Sequence, residues 1–409
     1  MTPQPRQVLV VGAGLAATQT VAALRGRGFD GRVVVLGAEG IAPYDRPPLS
    51  KHLLDRPGPT WLADEIGADL LALADEVHLD EPARGLAPTS SGVVVTTAAA
   101  ERTADAVVVA TGAHAVVPTG WHALSLHTAA DAARLRGQLR PGSRLVVVGA
   151  GWIGAEVAGV AAAYGVRVTV VEAAGSPLSA ALGSEVGALT AGWYEAAGVR
   201  LRTGAAVADV RPDGVVLADG EPVPSDAVLV AVGARPQTGW LAGSLPREPD
   251  GALRVDERYA VLGVPDRVRA VGDVALRRSP RHGWVPGGHW DGALRGPAAL
   301  VADLLGEEPP ADADPAPYVF STQLGHELAL FGQAGPDDDL VLRGDPDAGQ
   351  GWAALRFRPG TDALTAVLVV DRPRDVGGAR RLFTGPTLPR LDRTVAADPA
   401  RALREAVLG

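Results

Sequence analysis

Two stretches of this 409-residue chain repeat one pattern, VLVVGAGLAATQTVAALRGRGFDGRVVVL from residue 8 and RLVVVGAGWIGAEVAGVAAAYGVRVTVVE from residue 144. Each is a β-branched run, a glycine turn, an alanine-rich stretch of helical length and a second β-branched run. A strand that is apolar at nearly every position is buried on both faces. That requires parallel neighbours and helical crossovers, so the chain is held to βαβ units. Further runs at 93–96, 106–112, 227–233 and 268–273 keep the same rhythm as RVVVL at 32–36. The fold class expected is α/β, with an internal duplication.

Composition sets the outer limits. With 47% hydrophobic and 21% charged residues the chain has the make-up of an ordinary globular protein of two or three domains. It contains no cysteine, which excludes structural disulfides, cysteine-ligated zinc or iron-sulfur clusters, and thiol relays. A net charge of -9 without a basic run argues against nucleic acid as a partner. No apolar run approaches the roughly 18 residues of a membrane span, and VLVVGAG is strand-length with no cleavage signal, so the cytoplasm is expected. The proline-rich GEEPPADADPAP at 306–317 reads as a linker. Beyond it, TQLGHELALFG, GWAALRFRP and LTAVLVVD read as a small antiparallel sheet, and RALREAVL at 401–408 as a closing helix.

The chemistry begins at the glycines. Gly12, Gly14 and Ala17 lie between a strand and a helix, where small residues allow a tight turn and let backbone N–H groups approach a pyrophosphate. Glu39 follows the second strand and is a candidate for ribose hydroxyls, although it lies further from Gly12 than the usual 20 or so residues. The second copy carries Gly149, Gly151 and Gly154, with Glu172 closing the next strand. A carboxylate there accepts from a ribose diol and repels a 2′-phosphate, and no arginine occurs in the following AAGSPLS, so this half should prefer NADH to NADPH.

One residue is singled out by composition. Of the 38 basic side chains only Lys51, at the end of DRPPLSK, is a lysine. A coding bias that elsewhere replaced lysine by arginine spared this amine.

With these residues in view, the chain resembles the FAD-dependent pyridine-nucleotide oxidoreductases, and among them the ferredoxin reductase type that serves cytochrome P450 and ring-hydroxylating oxygenase systems. The resemblance spans about residues 6 to 330 through YDRPPLSK, VVVATGA, VVVGAGWIGAEVA, LVAVGARPQT, RAVGDVA and GHWDGALRGPAA. It implies two Rossmann-like three-layer domains plus a small α+β C-terminal domain, in a glutathione-reductase-like architecture. Residues 1–115 and 243–312 would form the FAD-binding domain, 116–242 the NAD-binding domain, and 313–409 a C-terminal interface domain.

It further implies roles residue by residue. Gly12, Gly14 and Glu39 would hold the ADP half of FAD, with Arg46 and Pro47-Pro48 shaping the flavin pocket. Thr111 and Gly112 would close over that cofactor, and Gly233 and Gly272 are further cofactor-binding candidates. Asp273 would bond the ribityl or pyrophosphate region. Trp290 would lie at the pyrimidine edge of the flavin, where the helix that follows directs its positive end at the ring. His289 is either a flavin partner or a structural histidine. Lys51 would sit near flavin N5 and pair with Glu156 across the boundary of the FAD and NAD halves. An ammonium suits that place because it is compact, whereas a guanidinium is a broad planar fork.

The pattern departs at a few positions. Gly288 replaces an acidic residue before His-Trp, glycine stands at 292 where asparagine is common, and the segment from Trp290 to Gly296 is one residue short. In YVFSTQ, Phe320 stands for a tryptophan and Thr322 for an aspartate.

Without cysteine, electrons must leave the flavin directly. The expected function is transfer from NADH through FAD to a small iron-sulfur protein, a ferredoxin, with the protein a monomer or homodimer. One alternative is a flavin-dependent oxidase or reductase acting on oxygen, quinone or a small organic molecule. Another is a redox-sensing interaction protein of the apoptosis-inducing-factor type. His114, His122 and His127 lack metal-ligand spacing, and no metal is expected. Arg277, Arg278 and Arg281, with Arg372, Arg374, Arg380 and Arg381, are either docking patches for an acidic partner or solvated faces.

Overall fold

A computed structural model describes residues 4–90 and 92–408. The chain forms two compact units, each made of several segments. The first comprises Met1–Asp45, Thr60–His114 and Arg235–Val319, and the second Arg46–Pro59, Ala115–Ala234 and Phe320–Gly409.

In the first unit the strand Gln7–Val11 pairs in parallel with Arg32–Leu36 on one side and Ala106–Val109 on the other. Glu76–His78 and Val268–Ala270 complete the five-stranded sheet at its two edges. The central strand explains why the apolar run is unbroken: Val8, Leu9 and Val10 are fully buried. Each contributes roughly 1.5–3 kcal/mol of burial, which fixes this strand as the spine. The helices Leu15–Gly26 and Trp290–Leu304 pack against each other. The run at 93–96 is not part of this parallel layer. It forms Val93–Thr97, the middle of an antiparallel meander with Ala83–Pro88 and Glu101–Ala104, because its connections are too short to carry a helical crossover.

The second unit repeats the parallel motif. Arg144–Val148 pairs with Arg167–Val171 and Ala227–Val230, and Arg200–Arg202 extends the sheet beyond Arg167–Val171. A separate five-stranded sheet, in the order Tyr318–Gln323, His326–Gly332, Leu364–Val370, Trp352–Phe357 and Asp339–Arg343, forms the expected C-terminal layer. Leu178, Leu182 and Val186 pack with Trp352, Leu368 and Val370 of that sheet in one apolar cluster.

Two expectations change. The closing helix shrinks to a single 3-10 turn at Leu403–Ala406. Beyond it Val407 bridges Leu391, so the chain returns to extended pairing before a helix can propagate. The linker is anchored rather than loose, since Asp314 within it is held by Arg277 and Arg281.

Candidate functional site

In the first unit, Gly12, Glu39, Thr111 and Gly272 all follow the carboxyl ends of parallel strands, where open α/β sheets bind ligands. Gly12 has φ of 117° and a side chain there would overlap the Ala110 carbonyl, so this position requires glycine. Gly14 is the N-cap of the 12-residue helix Leu15–Gly26. No side chain caps that helix, its first turn holds no acidic residue, and the space beside Gly14 is open. Among the described residues its first N–H groups therefore have no capping side chain, and they lie beside that open space. Ala17 is fully buried against the sheet. Compare the helix Ala129–Gln138, which Thr128 and Asp131 finish with a complete capping box.

Glu39 is exposed and accepts a hydrogen bond from the Tyr44 hydroxyl at 2.5 Å. Thr111 donates to the Gln237 carbonyl at 2.7 Å, and Gly112 adopts φ of 67°. Asp273 accepts the Gly288 N–H at 3.1 Å. Gly288 itself has φ of 95°, a left-handed conformation that disfavours an acidic side chain here and gives a physical reason for the glycine. The Trp290 indole N–H donates to Asp45 at 2.7 Å, which pins the ring. His289 Nδ1 is buried with no hydrogen-bond partner. Burial lowers its pKa, with Asp273 and Asp291 opposing, so the imidazole is neutral at pH 7. It borders a cavity of about 40 Å³ that Tyr259, Gly272 and Arg277 also line.

In the second unit Gly149 has φ of 104°, and a side chain would meet the Ala231 carbonyl. Gly151 starts the helix Trp152–Ala163, again with no side-chain cap and with open space beside it. A side chain at Gly154 would overlap the Gly149 carbonyl, so the third glycine permits the helix to lie close on the turn. Glu172 accepts the N–H groups of Ala150 at 2.7 Å and Ala174 at 2.8 Å, tying its carboxylate to the glycine turn. Gly233 follows the strand Ala227–Val230, is exposed, and its carbonyl accepts Val116 N–H at 2.9 Å.

DRPPLSK breaks into two uses. Asp45 holds Trp290 within the first unit, while Arg46 to Lys51 belong to the second. Arg46 donates to the His127 carbonyl, and Pro48 opens the four-residue helix Pro48–Lys51 at a position where a missing N–H is harmless. The helix aims Lys51 at Glu156, and the two form an ion pair with side chains 15% and 6% exposed. Three donors converge on the Glu156 carboxylate: Lys51 and Ser321 on one oxygen, and Ser50 on the other at 2.5 Å. Desolvating a carboxylate this deeply costs several kcal/mol, and these charge-assisted bonds offset it. The Phe320 ring lies 5.2 Å from the Lys51 ammonium.

Asp45, Ser50 and Ser321 escape sequence reasoning, although the first two lie inside a motif already marked by its lysine. The arginine patches are corrected. Arg277 and Arg281 run inward to Asp314, Arg278 pairs with Glu257, and Arg372 pairs with Asp375. Of that set Arg374 and Arg381 stay exposed without an ion pair among the described residues, and Arg380, also exposed, rests on Phe331.

Among the described residues no helix is long and apolar enough to cross a membrane. Residues 6–292 match the pyridine nucleotide-disulphide oxidoreductase family, and residues 318–407 match the reductase C-terminal domain. The chain is 34% identical to the ferredoxin reductase component of chlorobenzene dioxygenase from Cupriavidus sp. (strain PS12), over 96% of this chain and 94% of that one. It is 33% identical to the ferredoxin--NAD(+) reductase component of the anthranilate 1,2-dioxygenase system of Burkholderia cepacia, over 97% and 98% of the two chains. Its fold matches the crystal structure of the ferredoxin reductase for the CYP199A2 system from Rhodopseudomonas palustris. The TM-score is 0.87 at 27% identity, covering 98% of this chain and 100% of that one.

Proposed function

The chain belongs to the pyridine nucleotide-disulphide oxidoreductase family, and on that premise we propose that it is an NADH-dependent FAD flavoprotein reductase. It passes electrons to a small iron-sulfur protein, a ferredoxin, that serves a P450 or an oxygenase. The observation that carries this reading is the Lys51–Glu156 pair, set on the helix of the second glycine turn in a chain without a single thiol. A disulfide relay has no residues here to run on.

The residues suit the groups this requires. The open helix end at Gly14 offers unpaired N–H groups to a pyrophosphate, and Glu39 stands at the neighbouring strand end for a ribose. Asp273 and the buried His289 nitrogen would supply polar contacts for FAD, with the pinned Trp290 at its edge. When bound, FAD supplies what no side chain here can, uptake of two electrons together and their release one at a time. The Gly149–Gly154 turn orients NADH, and Glu172 keeps lone pairs for a ribose diol beyond the two N–H bonds it accepts. With FAD bound, Lys51 would stand beside the flavin as a compact fixed cation, and Glu156 holds it in place.

For function, residues 1–115 with 243–312 act as the FAD part, 116–242 as the NAD part, and 313–409 as the acceptor side. The apolar run at residues 8–11 is spent on the central strand of a sheet, and the location we propose is the cytoplasm.

A second reading is direct reduction of oxygen, quinone or a small organic molecule. Gly288 favours it, since the acidic side chain of the family is missing and nothing fills its place within 4 Å. Anaerobic reduction by NADH followed by reoxidation with ferredoxin, quinone or oxygen separates the two. Fast, saturable reoxidation by ferredoxin is the expected result; saturable reoxidation by oxygen alone sinks the main reading.

A further inference from the structure

We infer that the strand Tyr318–Gln323 is part of the apparatus that holds Lys51, with Ser321 and Phe320 as positioning residues for the Lys51–Glu156 pair. The alternation of the strand sets up the arrangement. Ser321 and Gln323 are buried, at 2% and 1% exposure, while Phe320 and Thr322 face outward. Consecutive residues of one strand thus reach the two members of the pair separately. Ser321 donates to the Glu156 carboxylate, and the Phe320 ring supports the Lys51 ammonium from 5.2 Å.

The direction of the Ser321 bond is fixed by its neighbour. The Gln323 side-chain amide donates to Ser321 Oγ at 3.0 Å, so the serine hydroxyl is an acceptor on that side and spends its proton on Glu156. The helix of Glu156 is also seated against this segment. A side chain at Gly159, one turn on, would press into the Leu324 backbone N at 2.9 Å. Glycine at 159 lets the end of the strand lie flush on the helix. Gln323, Ser321, Glu156 and Lys51 therefore form one chain of bonds running from the C-terminal sheet to the ammonium.

Its importance for turnover rests on the role proposed above for Lys51, but its geometry can be tested without that role. Lys51 is the sole lysine, so protein grown with 15Nζ-lysine gives one side-chain ammonium signal with no other lysine to overlap it. In the purified flavoprotein, Ser321→Ala should speed proton exchange of that ammonium and move its signal. Ser321→Thr, which keeps the hydroxyl, should restore both. Phe320→Leu, on the outward face, should shift the same signal by removing the ring beneath it, and it serves where Ser321→Ala folds poorly. Reduction of the flavin by NADH should be about tenfold slower in Ser321→Ala with KM for NADH unchanged, and Ser321→Thr should recover it.

An ammonium signal unchanged in both Ser321→Ala and Phe320→Leu overturns the inference, whatever the kinetics. If the signal responds while Lys51→Arg reduces at the native rate, the positioning stands and the place given to Lys51 in catalysis falls.

Discussion

Among the described residues of the second unit, the Arg343–Asp375 and Lys51–Glu156 ion pairs lie deepest, and they are built on opposite plans. Arg343, at 1% exposure, spends all five of its N–H groups: two on Asp375, and three on the carbonyls of Ala396, Asp398 and Arg401. Lys51, among the described residues, donates to Glu156 alone and keeps a ring at its side and 15% of its side chain open. The arginine is saturated, and what it holds is the C-terminal tail. The lysine is fixed yet unsaturated, so it retains donors for something the chain does not itself supply. Depth of burial does not separate architecture from chemistry; the count of unspent donors does.

The largest effect expected is on the saturated pair. Arg343→Met leaves Asp375 buried with fewer partners and frees three carbonyls, and should cost about 3–5 kcal/mol in urea unfolding. If the midpoint hardly moves, the contrast between the pairs collapses. Next, Lys51→Arg retains charge but not shape, and should slow flavin reduction by NADH about tenfold or more while the unfolding midpoint stays within about 1 kcal/mol. A native reduction rate would place both pairs in the architecture.

Acid gives a sharper comparison. Burial alone would raise the pKa of Asp375, but hydrogen bonds from Arg343 and Arg372 outweigh it and hold the carboxyl below its ordinary value. Between the folded and unfolded pKa values the unfolded chain binds more protons, so stability rises with pH there. The contribution of Asp375 is complete above the unfolded value near 3.9 and is lost as pH falls through the lower folded value. Acid titration followed by circular dichroism should show Asp375→Asn less stable at neutral pH and less sensitive to pH below about 4. A parallel offset at every pH would refute the assignment. The smallest effect is expected of Arg372→Gln. This arginine is 23% exposed at its bond to Asp375, so its loss should cost under about 1 kcal/mol in the same unfolding assay.

How far these features could be read from sequence follows from what kind of constraint each obeys. Gly12 and Gly149 were legible because a neighbouring carbonyl leaves no room for a side chain, and that steric fact is written as glycine. Lys51 was legible because a biased composition made it conspicuous. Phe320 stood out only as a replaced tryptophan, and the contacts of Phe320 and Ser321 were not legible, since they cross 165 residues or more and a serine carries no mark of which carboxylate it serves. The arginines misled for a related reason. A run of charge does not say which way the side chains turn, and Arg277 and Arg281 turn inward to an aspartate in a stretch that reads as linker. The parallel sheets followed from unbroken apolar runs. The meander around Val93–Thr97 did not, because a short apolar run looks the same in either kind of sheet.

The helices that begin at Leu15 and Trp152 start without caps, unlike the helix beginning at Ala129. With glycine in place of a capping side chain, the chain forgoes roughly a few tenths of a kcal/mol at each glycine turn. A nucleotide held at either end, as proposed above, would complete the helix as a cap does. Folding and nucleotide loading would then be one linked equilibrium, in which the melting temperature of the protein reads out the concentration of its own cofactors.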